Sequence, residues 1–206
     1  PFHETDAFVR LVQILNIEQH VRWGGFDEVK RNGVTMPRTA LAKLVTKELS
    51  CFTALIEAVI TSAKQLRKVN RHLLSLVTLL ARDVLHAATG TKEEVLQAIL
   101  PLILCGAQRP QLTDLYLASL SVFSELIVAV PQLSDAIATG LLCQWVKHAN
   151  ARCLTDLIPV LALFFQVQPL GVLPQKMLTR ILSLNNFVST FSELASQEKV
   201  DLTNFF

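Results

Sequence analysis

Thr91-Lys92-Glu93-Glu94-Val95-Leu96 (91–96) opens a helix by its chemistry alone. A threonine followed three residues later by a glutamate has the spacing at which the two side chains cap each other's free backbone N–H groups, and an apolar run follows. Comparable starts stand on either side. Ser50 precedes Cys51-Phe52-Thr53-Ala54-Leu55-Ile56, Ser134 precedes Asp135-Ala136-Ile137, and Pro174 opens Gln175-Lys176-Met177-Leu178. The steps from Ser50 to Thr91 to Ser134 to Pro174 are 41, 43 and 40 residues, and a fainter first unit begins near Thr5. A period in the forties, filled by two helices, is the signature of HEAT or armadillo repeats. The expected fold is all-α: a right-handed α-solenoid of about five degenerate HEAT-like helix pairs, with residues 1–206 as one continuous segment.

Working outward, the helix pairs read as 51–68 with 71–88, 92–106 with 112–129, 135–148 with 151–167, and 175–184 with 187–197. Asn70, Asn150 and Asn186 stand where the second helix of a pair begins, and asparagine is a favoured N-cap because its side-chain oxygen accepts a free N–H. Before the pairs lie a helix over 5–17, with Phe8, Val12 and Leu15 on one stripe, and a short helix over 39–48, with Leu41, Leu44 and Val45 inward. Between them, Trp23-Gly24-Gly25-Phe26, Asn32-Gly33 and Pro37 predict a long loop over 18–37, which should be the most protease-sensitive segment. Pro101 and Pro159 fall inside helices in near-identical settings, yet one lies in a first helix and the other in a second. Either the repeats are degenerate or the pairing slips after residue 130.

Composition fits a helical array. Half of the residues are hydrophobic (51%) and few are charged (17%), as required when most of each inner helix is covered. The longest uncharged run, Leu157 to Gln175, contains Pro159, Pro169 and Pro174 plus Gln166 and Gln168, which argues against a membrane span. The chain starts at Pro1 rather than Met, so it reads as a fragment or processed form. Its apolar ends, Pro1-Phe2 and Leu202-Thr203-Asn204-Phe205-Phe206, carry no polar cap and predict concentration-dependent association.

Chemistry is sparse. Cys51, Cys105, Cys143 and Cys153 form no Cys-x-x-Cys pair, so they read as buried small hydrophobes in a reducing compartment, not as a zinc site or a disulfide framework. No phosphate-cradling glycine loop, nucleophile elbow or His-Glu-x-x-His occurs. Asp83 and His86 lie three apart and could touch as a surface pair. No catalytic, cofactor or metal residue is assigned, and no small-molecule substrate is expected. Charge is uneven: residues 1–90 carry twelve Lys/Arg against eight Asp/Glu, residues 91–206 seven against nine. The densest basic cluster is Lys64, Arg67, Lys68 and Arg71, beside His72. Spacings of i, i+3 and i+4 place the first three on one helix face. The cluster reads either as the cationic end of a helix or as a contact for RNA or an acidic partner.

Pro1-Phe2-His3-Glu4-Thr5, Phe8-Val9-Arg10 and Gln13-Ile14-Leu15-Asn16-Ile17 resemble the N-terminal region of one eukaryotic family, the large HEAT-repeat subunit of the small-subunit processome (HEAT-repeat-containing protein one, or U-three-associated protein ten). Leu41 to Lys47 and Phe52 to Ala63 sit at plausible positions downstream, and beyond residue 90 the chain reads as generic helical repeat. The resemblance implies a non-catalytic nucleolar scaffold of ribosome biogenesis. It would work beside WD-repeat subunits on ribosomal RNA precursor, supporting precursor transcription and small-subunit maturation. The other reading from pattern is an adaptor solenoid that binds peptides in a transport or signalling complex.

Overall fold

A computed structural model describes residues 2–15, 25–65, 68–87, 92–168 and 175–196. Eleven α-helices are placed: α1 Asp6–Ile14, α2 Asp27–Asn32, α3 Arg38–Lys47, α4 Leu49–Gln65, α5 Arg71–Ala87, α6 Lys92–Ala107, α7 Thr113–Ala129, α8 Asp135–His148, α9 Leu154–Val167, α10 Gln175–Leu182 and α11 Phe187–Ser196. No strand occurs among the described residues. Helices pack on their next-but-one neighbours: α3, α5, α7, α9 and α11 form one layer, and α4, α6, α8 and α10 the other. That two-layered stack is an all-α, solenoid-like fold of HEAT-like pairs.

The apolar spacing of each helix dictates its place. On α5 the buried residues are Leu74, Val77, Leu80, Ala81, Val84 and Leu85, a single stripe facing the core. On α7 they are Leu115, Tyr116, Ser119, Leu120, Val122, Phe123, Leu126 and Ile127, which cover most of the circumference. Accordingly α7 packs against α5, α6 and α9. Its aromatics tie three helices together. Phe123 stacks on Trp145 of α8 at 5.6 Å and meets Phe164 of α9 at 5.9 Å, while Tyr116 sits edge-on to Trp145 at 5.2 Å. Such pairs add about 0.5–1.5 kcal/mol each beyond area burial.

α4 with α5, α6 with α7 and α10 with α11 pack as the periodicity predicts, whereas α8 packs mainly on α6 and α10, α9 mainly on α7 and α11, and the two pack little on each other. Pro101 lies inside α6 of one layer and Pro159 inside α9 of the other. The repeats are therefore degenerate, since a proline lacking its backbone donor is accepted in either layer. Thr5 caps α1 through Oγ1, which accepts from Phe8 N at 3.3 Å. Asn70 Oδ1 accepts from both His72 N and Leu73 N, at 3.0 and 3.2 Å. Asn150 Oδ1 accepts from Arg152 N at 2.9 Å and starts a 3-10 turn, Ala151–Cys153, that leads into α9.

Several local expectations change. Ser50 is not a cap: α4 begins one residue earlier, and the Ser50 hydroxyl turns to Glu48. Ser134 holds the N-cap position of α8 without a side-chain bond. Asn186 precedes α11 but contributes through its backbone, at φ 70, a left-handed conformation that asparagine tolerates. Thr91 and Pro174 lie outside the described residues, as do Pro1 and the apolar stretch 202–206. Segment 18–37 is not one continuous loop, because α2 forms within it. Asp27 and Glu28 open this helix, Lys30 and Arg31 close it, and Val29 is buried. Gly33 then ends it at φ 62, where its N–H donates to Val29 O at 3.0 Å. The glycine read as loop chemistry is a helix terminator.

Among the described residues no single helix is long and apolar enough to cross a membrane; α8 with the stretch Ala151–Val167 passes only as a pair bent by 118°.

The N-terminal turn carries a pH dependence. His3 is 3% exposed, and neither ring nitrogen has a hydrogen-bond partner, while its carbonyl accepts from Met36 N at 3.2 Å. Burial pushes its pKa below the ordinary histidine value; Glu4 opposes the shift and Arg38 adds to it. The unfolded chain thus binds this proton more readily than the folded one, so stability should fall as pH drops below about 6.5 towards the lowered folded value. Thermal melting at pH 7.5 and 5.5 should show the loss, and His3→Gln should remove that component. His148 is also lowered, by burial and Lys147, and contributes in the same direction. An unchanged pH profile in His3→Gln would contradict this assignment.

Candidate functional site

The α4–α5 and α6–α7 turns lie side by side at one end of the stack, and an open cleft of about 720 Å³ runs between them. One bank is Lys68 to His72, the other Gln111 to Leu115. Helix ends set this geometry. Asn70 leaves the helical conformation to cap α5, and Lys68 and Val69 before it are likewise not helical. Lys68 consequently stands in the connection rather than on the helix. The i, i+4 placement of Lys64 with Lys68 does not hold.

Of the predicted cluster, Lys64 is exposed in the last turn of α4, Lys68 is exposed on the cleft rim, and Arg71 opens α5. Arg67 lies outside the described residues. The charges of Lys64 and Arg109 both oppose the burial that pushes the Cys105 thiol up. Arg109 donates to the Cys105 carbonyl at 3.3 Å, satisfying a carbonyl near the α6 C-terminus. Arg71 finds an acid within the chain: its Nε donates to Asp114 Oδ2 at 2.7 Å, with both side chains largely exposed.

That pair belongs to a pattern. Arg38 of α3 meets Asp83 of α5 at 2.9 Å, and Arg82 and His86 of α5 meet Glu125 of α7 at 3.2 and 3.0 Å. Asp83 and His86 therefore do not pair with each other; each reaches a different neighbouring helix. Every one of these pairs joins consecutive helices of one layer. The Arg71–Asp114 pair spans 43 residues and His86–Glu125 spans 39, close to one repeat. A search for opposite charges one period apart would have found them from the sequence.

The remaining ionisable groups sit in packing roles. Burial pushes the Cys153 thiol up and the Tyr116 phenol well above its usual range, so both stay neutral. A raised thiol is a poor nucleophile. No disulfide joins the four cysteines. Cys105 and Cys153 are buried as expected, Cys51 is half-buried, and Cys143 is exposed because α8 turns Leu142, Trp145 and Val146 inward instead. No group of three or more His, Cys, Asp or Glu that could hold a metal occurs among the described residues.

A layered stack of paired helices with a charged cleft at its turns is the architecture of a HEAT-like repeat protein. The family described as U3 small nucleolar RNA-associated protein 10 matches residues 95–206, a little over half of the chain, and the chain belongs to that family. HEAT repeat-containing protein 1 of Danio rerio is 22% identical over 208 residues, covering 95% of this chain and 10% of the relative. An uncharacterized protein of Arabidopsis thaliana is 27% identical over 108 residues, covering 52% of this chain and 5% of the relative. The chain thus spans a tenth or less of the length of these curated relatives. The family match begins at Val95, in the half whose sequence reads as generic repeat, and not at the quoted N-terminal stretch.

Proposed function

We propose that this chain is a non-catalytic scaffold segment of a ribosome-biogenesis factor. It acts in the nucleolus as one continuous helical-repeat unit that helps organise the early small-subunit processome on ribosomal RNA precursor. The observation that carries this reading is the family match over residues 95–206. The fold supports it: paired helices expose long surfaces, and the buried thiols and phenol serve packing. Its partners are other processome proteins, WD-repeat subunits among them, and the precursor RNA. Lys64, Arg67, Lys68 and Arg71 form its cationic contact surface.

Affinity purification of the tagged chain from nucleolar extract, with identification of RNA and protein, tests this. Recovery of precursor RNA and WD-repeat subunits is expected; recovery of transport or kinase complexes instead would overturn it. The double change Lys64→Glu and Lys68→Glu should leave helicity unchanged, because exposed positions tolerate such changes within about 0.5 kcal/mol. It should weaken partner binding several-fold, and that binding should itself fall as salt rises. Wild-type binding by the double variant would reduce the cluster to a helix end.

A further inference from the structure

The cleft between the α4–α5 and α6–α7 turns has a cationic rim of Lys68 and Arg71, with His72 beside them, over half-buried and buried apolar walls, Val69, Leu112 and Leu115. Nucleic acid and a protein segment would use these features differently. Single-stranded nucleic acid gains much of its affinity by stacking bases on aromatic side chains, and among the described residues the lining of this cleft includes no Phe, Tyr or Trp. A peptide with carboxylates and an alkyl side chain meets both features, and the volume suits a few side chains. Arg71 already displays the required chemistry, with its guanidinium edge on the Asp114 carboxylate at 2.7 Å.

We infer that this cleft docks an acidic peptide segment carrying a leucine-like residue from a protein partner, with Asp114 occupying Arg71 until the partner's carboxylate replaces it. This rests on the reading of the basic turn as a contact surface and names what it contacts. The exchange costs little, because the Arg71 and Asp114 side chains are 81% and 50% exposed and ion pairs at such sites contribute weakly. Asp114 is then a built-in competitor. It keeps the guanidinium ordered and turns away weakly acidic ligands, and its removal should strengthen docking.

Fluorescence anisotropy with the 206-residue chain tests this, using a labelled ten-residue peptide alternating Glu and Leu, a ten-residue oligoglutamate and a ten-nucleotide oligouridylate at one salt concentration. The alternating peptide should bind about tenfold more tightly than oligoglutamate, since burying one leucine is worth at least that factor. Asp114→Asn should tighten it by roughly threefold through loss of a competing charge, and Lys68→Glu should weaken it about tenfold. Circular dichroism of both variants should match the wild type. Unchanged or weaker peptide binding by Asp114→Asn overturns the inference, as does oligouridylate binding as tightly as the alternating peptide. If Asp114→Asn has no effect while Lys64→Glu with Lys68→Glu still loses processome partners, the cleft assignment alone fails. If Asp114→Asn gains affinity but no processome component co-purifies, the cleft stands and the cellular assignment fails.

Discussion

Gly106→Ala is expected to destabilise the fold by about 2–3 kcal/mol, although alanine is the better helix former by about 1 kcal/mol. A Cβ at position 106 would stand 2.2 Å from both Cβ and Oγ of Ser119 and 3.1 Å from the Leu115 carbonyl oxygen. These are backbone and short side-chain atoms that cannot swing aside, so α6 and α7 must separate. Separation also breaks the bond from Ser119 Oγ to Leu102 O, 3.0 Å long and fully buried, which leaves the Ser119 hydroxyl without its acceptor. Urea unfolding measures the loss. Combining Gly106→Ala with Ser119→Gly should recover part of it, because the second change restores the room the first removes. A single variant as stable as the wild type would mean that the two helices do not touch here.

Gln168→Leu should cost still more, about 3–5 kcal/mol. Gln168 is 3% exposed at the end of α9 and closes the α7–α8 turn with its side-chain amide. Oε1 accepts from Leu133 N at 3.0 Å, while Nε2 donates to Ile127 O at 3.3 Å and Val130 O at 2.8 Å. A leucine fills the space but orphans one buried N–H and two carbonyls, each costing about 1–3 kcal/mol when unsatisfied. Gln168→Glu separates shape from chemistry. It keeps the acceptor for Leu133 but points a carboxylate at two carbonyls, so its pKa should rise. Protonation restores a donor, and the variant should regain stability as pH falls towards 5, opposite in sign to His3. Equal loss in Gln168→Glu at pH 5 and pH 8 would remove the hydrogen-bond explanation.

Neither site could be read directly from the sequence, whereas most of the helical scaffold could. Helical period, asparagine caps and apolar stripes are local signals, and they place α5, α7 and α8 within a residue of where they stand. The capping role of Asn70 was legible because Asx chemistry acts over two or three residues. The Gly106–Ser119 approach depends on how two helices cross, and the Gln168 lock spans 35 to 41 residues. Gln168 had been visible only as a polar interruption in an apolar run. The cleft was half legible. Its basic bank is contiguous in sequence, but its second bank lies one repeat further on. Short-range charge reading therefore missed Asp114 and paired Asp83 with His86. α2 was hidden because its six residues have too little apolar periodicity to distinguish a helix from a turn.

The ion-pair pattern also divides the layer that runs from α3 to α11. Arg38–Asp83, Arg71–Asp114 and Arg82–Glu125 join α3, α5 and α7 through exposed or half-exposed charges. From α7 to α9 the contact is aromatic, through Phe123 and Phe164. Exposed pairs are weak and screened by salt, while buried ring contacts are not.

The measurement closest to the central claim is metabolic labelling of newly made ribosomal RNA after depletion of the protein, with rescue by the intact gene. A scaffold of the early small-subunit processome predicts that small-subunit RNA falls more steeply than large-subunit RNA, with unprocessed precursor accumulating or being lost. An unchanged ratio of the two, with normal precursor levels, would contradict a role in ribosome biogenesis.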